Sequence, residues 1–248
     1  MGDRPPWTAK FNAVEPGSAA PARWPPDRLA AFDVRVPIPS GPMGSTDRQL
    51  TASSTALVVI DMQNDFCSNG YYMDQAGYDV ARLRRPVAPI QHVLAAARRS
   101  STSVVFTRQY RPLDSREGQA DHPFPRLALK GEPGWEIIPE LAPGAAEEVI
   151  DKIACSAFVS TNMQELLQRK NARTLVFCGN TIDVCVHSTL RSANDLGYQC
   201  ITLADCCGAV NDELHRWSLE SIKVENGVFG QVMDSAEFIG LLQTQPGR

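Results

Sequence analysis

The chain has 248 residues, a net charge of −4 and 43% hydrophobic residues. That suits one large α/β domain with a sizeable core, and mild acidity without a run of Lys or Arg argues against a nucleic-acid face. No apolar segment approaches the ~20 residues of a membrane span. The first twenty-five residues hold no apolar run of the kind a secretory leader carries. The seven cysteines are odd in number and lie mostly in or beside predicted strands, which points to reduced thiols in the cytoplasm.

Residues 1–50 are rich in Pro, Ala and Gly, with Trp7, Phe11, Trp24 and Phe32 scattered among them. A disordered arm carries few aromatics, so an extended arm is expected, packed across the domain or onto a neighbouring subunit. The domain proper is expected over 51–248. It begins with Thr55-Ala-Leu-Val-Val-Ile-Asp61, five apolar residues of a buried strand that end in a carboxylate. Residues 86–99 open with Pro and continue at helical spacing, and Ser103–Thr107 is the next strand. The Pro- and Gly-rich excursion over 108–146 is long enough to suggest function. EVIDK at Glu148–Lys152 is a strand ending in a charge, and Thr161–Lys170 is an amphipathic helix.

Leu175–Cys178 is an apolar strand closed by Gly179. Val184, Val186, Leu190, Ala193 and Leu196 follow at helical spacing, Gly197 stands at the C-cap position, and Gln199–Leu203 is a further strand. Cys185 is thereby placed at the turn from strand to helix, where free N–H groups and the helix dipole favour an anion and should lower a thiol's pKa. A cysteine taken alone is more often a buried core residue. A helix from about Asn211 to Glu225 and another near Ala236–Gln243 complete the chain. Strands alternate with helices throughout, so the fold class is α/β, a mostly parallel sheet with helices on both faces.

Asp61, Lys152 and Cys185 each stand at or just past the C-terminal end of a predicted strand. In an open parallel sheet those ends share one edge, where sites are built. Singly, a strand-end Asp or Lys is most often a solvated residue. Jointly the three supply a base, a cation and a nucleophile, the set needed for thiol acyl transfer. Two alternatives come from other classes: a catalytically silent scaffold, and a redox protein using the adjacent Cys206 and Cys207, a pair that rarely bridges. With four His in the chain, none at ligand spacing from that pair, no zinc site is read.

In ALVVIDMQNDF around Asp61, DK followed by SAF around Lys152 to Phe158, and GNTIDVCVHSTLRSANDLGY around Cys185, the chain resembles the isochorismatase-like cysteine hydrolases. The resemblance runs from about Thr51 to Gln243. It implies a Rossmann-like three-layer sandwich, an Asp61–Lys152–Cys185 triad, an oxyanion hole made by the N–H groups of Thr181 and Cys185, and a cis peptide at Asn180–Thr181. It also implies a homo-oligomer, a dimer or tetramer, acting without a cofactor on a small molecule. Metal-dependent nicotinamidases carry Asp and two His soon after the first catalytic Asp. This chain has no His between Asp61 and His92, so no metal is expected. SNGYYMDQAGYD, KGEPGWEIIPEL and ADCCGA followed by KVENGVFG are most similar to the biuret and triuret hydrolases. The ureidoacrylate amidohydrolases and N-carbamoylsarcosine amidases come next. The expectation is therefore an amidohydrolase that cleaves a C–N bond of a linear ureide, triuret ahead of biuret, with ammonia release through a thioester on Cys185. Phe66, Phe158 and Glu225 are candidate substrate contacts, Glu225 either as a buried carboxylate that would accept a terminal N–H pair or, equally, as a solvated residue at a helix end.

Overall fold

The computed structural model describes residues 50–110 and 129–244. The N-terminal arm therefore lies outside the described residues, and so do residues 111–128 of the Pro- and Gly-rich excursion. The core strand β1 (Thr55–Ile60) is buried at every position. It is followed by the short helices α1 (Asn64–Cys67), α2 (Tyr72–Gln75) and α3 (Val80–Arg84), then α4 (Val87–Arg99) and β2 (Ser103–Gln109). The strand β3 (Glu148–Lys152), helix α5 (Met163–Arg169) and strand β4 (Thr174–Gly179) come next. A single π-helical turn, Ile182–Val186, leads into α6 (His187–Asp195). The strand β5 (Gln199–Cys207), helix α7 (Asp212–Gly227), strand β6 (Gln231–Met233) and helix α8 (Ser235–Gln243) complete the domain.

All six strands pair in parallel in the order β3-β2-β1-β4-β5-β6. Successive side chains of a strand point to opposite faces, and β1 distributes its residues accordingly. Leu57 and Val59 join a core layer with Ile90, Val93 and Leu94 of α4 and Phe238 and Leu242 of α8. Ala56, Val58 and Ile60 join the other layer, with Met163 and Leu166 of α5 and Leu190 and Ala193 of α6. This is the three-layer α/β sandwich expected from the alternation of strands and helices. A sheet buried on both faces explains why its central strands read as unbroken apolar runs.

The chain starts at β1, winds outward to β3, then returns to β4 on the other side of β1. The sheet's switch point is thus between β1 and β4, where α/β folds open a crevice at the carboxyl ends. Gly179 makes that junction close. Its φ is +115°, and a Cβ there would meet the Ile60 carbonyl oxygen at 2.0 Å. Only glycine lets the end of β4 lie against the end of β1 in this way.

Three local expectations are corrected. The segment beginning at Val184 starts with a π turn instead of an α-helix, and Val184 is exposed instead of facing the core. The strand starting at Gln199 runs on to Cys207. The regular part of α7 stops short of Glu225: Val224 turns extended, with ψ 150°, and Glu225 and Asn226 take left-handed φ of 51° and 62°. The Asn226-Gly227 pair, a strong turn signal in the sequence, marks that break.

Candidate active site

Asp61 is the first residue past β1, and it takes a left-handed φ of 49°. Its N–H donates to both the carbonyl and the hydroxyl of Thr107 on β2, each at 3.2 Å. The Thr107 hydroxyl in turn donates to Asp61 Oδ1 at 2.6 Å. One carboxylate oxygen is therefore held by the neighbouring strand, and the other, Oδ2, is left to the site. It lies 2.7 Å from Lys152 Nζ, with both side chains fully buried.

Lys152 ends β3, two strands from β1. At about 4.8 Å per strand, only a long side chain crosses that gap. Its ammonium has three hydrogens and three close oxygens. Besides Asp61, it donates to Gln109 Oε1 at 2.6 Å and to the Ala154 carbonyl at 3.1 Å. Burial pushes the Lys152 pKa down, but Asp61 and Cys185 beside it together outweigh burial and raise it. The lysine is thus a fixed cation. Gln109 is fixed in its turn: its N–H donates to Gln63 Oε1 at 2.7 Å, and Gln63 Nε2 donates to the carbonyls of Gln109 and Trp135 at 2.9 and 2.8 Å. Gln63 is fully buried and Gln109 half-buried, so the inner end of this scaffold lies in the protein interior.

Cys185 sits in the π turn after β4, 7% exposed, and its thiol feels the charges of Asp61 and Lys152 and the sulfur of Cys155. The expectation of a lowered thiol pKa is not met. The hydrogen bond given to Cys155, then burial, then the Asp61 carboxylate raise the Cys185 pKa well above its ordinary value, and the Lys152 charge pulls against them. The Cys185 thiol therefore rests protonated between the Asp61 carboxylate and the Cys155 sulfur. Cys155 is the counterpart: the Cys185 S–H donates to it and Lys152 is near, so its pKa falls to about 6, against a smaller effect of burial. Sequence reading passed over Cys155. Its one signal was its place three residues after Lys152 in KIAC.

The turn around Cys185 also sets out backbone donors. The Asn180–Thr181 peptide is cis. Asn180 is fully buried, and its Nδ2 donates to the Cys67 sulfur at 3.1 Å and the Leu83 carbonyl at 3.0 Å. The Thr181 carbonyl accepts from the N–H groups of Val184 and Val186, both at 3.1 Å, and passes over that of Cys185 between them. The Thr181 N–H donates to no acceptor among the described residues.

The structure therefore brings Asp61, Lys152 and Cys185 together at the carboxyl edge of the sheet, with Thr181 in the same turn. The three candidate substrate contacts are placed differently. Phe66 is packed into the core layer that holds Met62 and Leu83, on the sheet face away from Cys185. The Phe158 ring lies 6.0 Å from that of Tyr198. Glu225 is exposed and makes no hydrogen bond or ion pair among the described residues. A left-handed backbone at the end of α7 turns it out to solvent, so of the two readings the solvated one holds and the buried carboxylate does not. Among the described residues, no group of three or more His, Cys, Asp or Glu is placed to hold a metal ion, and no helix is long and apolar enough to cross a membrane.

The adjacent Cys206 and Cys207 do not form a redox pair. They alternate across β5, Cys206 into one core layer and Cys207 into the other. Both are buried, and burial raises both thiol pKa values.

Comparison with known proteins converges on one group. Residues 55–237 match the isochorismatase domain family. A ureidoacrylate amidohydrolase, RutB, of Acinetobacter baylyi is 32% identical over 214 residues, which cover 79% of this chain and 86% of the relative. A cysteine hydrolase from Pseudomonas syringae pv. phaseolicola has a similar structure, with a TM-score of 0.71 at 27% identity over 83% of this chain and 99% of that one. N-carbamoylsarcosine amidase from Thermoplasma acidophilum aligns with a TM-score of 0.61 at 27% identity, over 73% of this chain and 96% of its own.

Proposed function

The chain belongs to the isochorismatase domain family, and from that premise we propose that it is a cysteine amidohydrolase whose nucleophile is Cys185 and whose substrate is a linear ureide. The observation that carries this reading is the fully buried Asp61–Lys152 pair, 2.7 Å apart, whose charges act on the thiol of Cys185. Two opposite charges taken out of water are costly to keep. A nucleophile set against them gives that cost a purpose.

The chemistry follows from how the protons are held. Cys185 rests as a thiol because the neighbouring Cys155 sulfur, burial and the Asp61 carboxylate all disfavour its anion. Asp61 Oδ2 takes that proton as sulfur attacks the ureide carbonyl, and Lys152, already cationic, stabilises the sulfur as it gains charge. The carbonyl oxygen becomes negative in the region of the Thr181 and Cys185 N–H groups. A donor aimed at such an oxyanion contributes about 3 kcal/mol to lowering the barrier. Asp61, now protonated, returns the proton to the departing nitrogen, and ammonia leaves. The thioester on Cys185 is hydrolysed by water that gives its proton to Asp61. Thr107 keeps Oδ1 occupied throughout, so both transfers use the same oxygen.

The relatives act on carbamoylated nitrogen compounds by name, which supports a ureide. Within that class the exposure of Glu225 removes the physical case for ranking triuret first. Ureidoacrylate is therefore placed ahead of triuret and biuret. The deciding experiment is ammonia release by purified protein from ureidoacrylate, triuret, biuret, N-carbamoylsarcosine and nicotinamide, each with and without a chelator. Turnover of a ureide, insensitive to chelation, is expected. Hydrolysis of nicotinamide alone, abolished by chelation, would reject both the substrate class and the metal-free chemistry.

A further inference from the structure

We propose that Cys155 and Cys185 form a second chemical site inside the active centre: a dithiol that a hydroperoxide closes to a disulfide and a thiol reductant reopens. Two cysteines far apart in the fold's order of elements are brought together here by a specific tether. Cys155 stands in the segment after β3, a run of bends and turns, and its side chain is exposed. The Thr189 hydroxyl on α6 donates to the Cys185 carbonyl at 2.7 Å, lies 3.5 Å from the Cys155 carbonyl, and accepts the Ala157 N–H at 3.1 Å. One buried side chain thus pins the Cys155 segment against the turn that carries Cys185. The two cysteines thus share one hydroxyl between their carbonyls, and each sulfur shifts the titration of the other.

The pair is asymmetric in the way a peroxide-reactive dithiol requires. Reaction with a hydroperoxide needs a thiolate that solvent can reach. Cys155 is exposed, and the neighbouring Cys185 and Lys152 lower its pKa, so it is the more readily ionised of the pair. Cys185 is protonated and nearly closed to solvent. The other five cysteines are all buried. Of these, Cys67 is pushed up to about 12 by burial, and Cys178 and Cys200 are raised by burial as well.

The steps balance. The Cys155 thiolate attacks hydrogen peroxide, forming the S–O bond of a sulfenic acid and releasing hydroxide as the O–O bond breaks. Cys185 gives its proton to Asp61, and its sulfur attacks the sulfenyl sulfur. The S–S bond forms, the S–O bond breaks, and the leaving hydroxide takes up a proton to become water. The two sulfurs have lost two electrons, and one peroxide has become one water and one hydroxide, which solvent protonates to a second water. A dithiol such as dithiothreitol reverses the bond by exchange. Closing the bond blocks the sulfur that attacks the ureide. It also keeps that sulfur from passing on to sulfinic acid, which dithiols do not reduce. The loss of turnover, though not the disulfide, rests on the reading of Cys185 as the nucleophile.

The test uses the full chain, wild type and Cys155→Ser, titrated with hydrogen peroxide and analysed by peptide mass mapping and by turnover, each protein scored against its own unoxidised rate. In the wild type a cross-link joining the peptides of Cys155 and Cys185 is expected, with nearly complete loss of turnover that dithiothreitol reverses. Cys155→Ser should inactivate more slowly, accumulate sulfinic acid at Cys185, and recover little. Absence of the cross-link in peroxide-treated wild type, or recovery of Cys155→Ser as full as that of wild type, overturns the proposal. The mass readout needs no substrate. A cross-link in a protein that turns over no ureide leaves the dithiol standing and removes the functional reading, whereas ureide turnover without a cross-link does the reverse.

Discussion

Two groups of cysteines in this protein look alike in composition and behave oppositely. Cys206 and Cys207 are neighbours in sequence, yet the pleat of β5 sends them to opposite core layers. Cys155 and Cys185 are thirty residues apart, yet the Thr189 hydroxyl lies against the carbonyls of both, and both thiols feel the buried Lys152 ammonium. Reactivity follows from what surrounds the sulfur, here Lys152, Asp61 and access to solvent, and sequence adjacency contributes nothing to it. The first group fills space and the second is held where charge can develop.

The largest expected effect breaks the second group at its nucleophile. Cys185→Ser should lower kcat/KM for the ureide by about 10³-fold or more, since loss of a nucleophile removes most of what the catalytic unit does together. Circular dichroism and thermal melting should show the fold retained, because Ser fits the same volume. Turnover within tenfold of wild type would end the assignment of Cys185.

The next effect concerns the charges. Lys152→Met leaves Asp61 as a buried, uncompensated carboxylate, which should destabilise the fold by about 3–5 kcal/mol. Asp61→Asn on top of it removes that orphaned charge, so the double variant should be more stable than Lys152→Met alone by denaturant titration. Equal stabilities of the single and double variants would show that the pair is not energetically coupled. Both variants should be inactive.

Much of this site could be read from the chain because of how parallel sheets work. Asp61, Lys152 and Cys185 announce themselves as polar groups ending apolar runs, and the sheet collects such ends at one edge. The residues that went unread lack that mark. Gln109 reaches Lys152 only because the two residues pair in register across β2 and β3, and Gln63 reaches Gln109 only once β1 and β2 are adjacent. Cys155 follows its strand by three residues, inside a loop whose path is set by Thr189 on a distant helix. Glu225 failed in the other direction: helical spacing carried it along α7, while the Asn226-Gly227 turn had already unwound the backbone. The strand β6 is three residues long, too short for alternation to reveal it.

A smaller effect sharpens the contrast between the two groups through pH. Cys155 has its pKa lowered to about 6 chiefly by the hydrogen bond from Cys185. A lowered pKa means that the thiolate is populated as pH rises through about 6, so alkylation of Cys155 by iodoacetamide should level off near neutrality. In Cys185→Ala the largest lowering influence is gone, leaving Lys152 and a backbone hydrogen bond against burial and Asp61, so the same profile should move to higher pH. Peptide-resolved alkylation between pH 5 and 9, a range that brackets the ordinary thiol value of about 8.5, reads both. A Cys155 profile that rises near pH 9 in wild type, or one that Cys185→Ala leaves in place, would show that the two thiols titrate independently.

The smallest effect belongs to the adjacent pair. Cys206→Ala and Cys207→Ala each remove one sulfur from a packed layer, leaving a small cavity that its neighbours partly fill. A cost of about 1 kcal/mol in stability is expected for each, the ordinary size for a modest core truncation. Because the two side chains belong to different layers with no shared neighbours across the sheet, the costs should add in the double variant to within about 0.5 kcal/mol. Neither should change kcat/KM by more than twofold, since β5 delivers no group to Cys185. Denaturant melts of both single variants and the double, alongside turnover at saturating and limiting substrate, measure all of this. A non-additive double variant would mean that the layers communicate through the strand. A large loss of activity would mean that β5 positions the Gly208 turn, where a Cβ would meet Asn180 Oδ1 at 2.0 Å, and through it the Thr181 N–H.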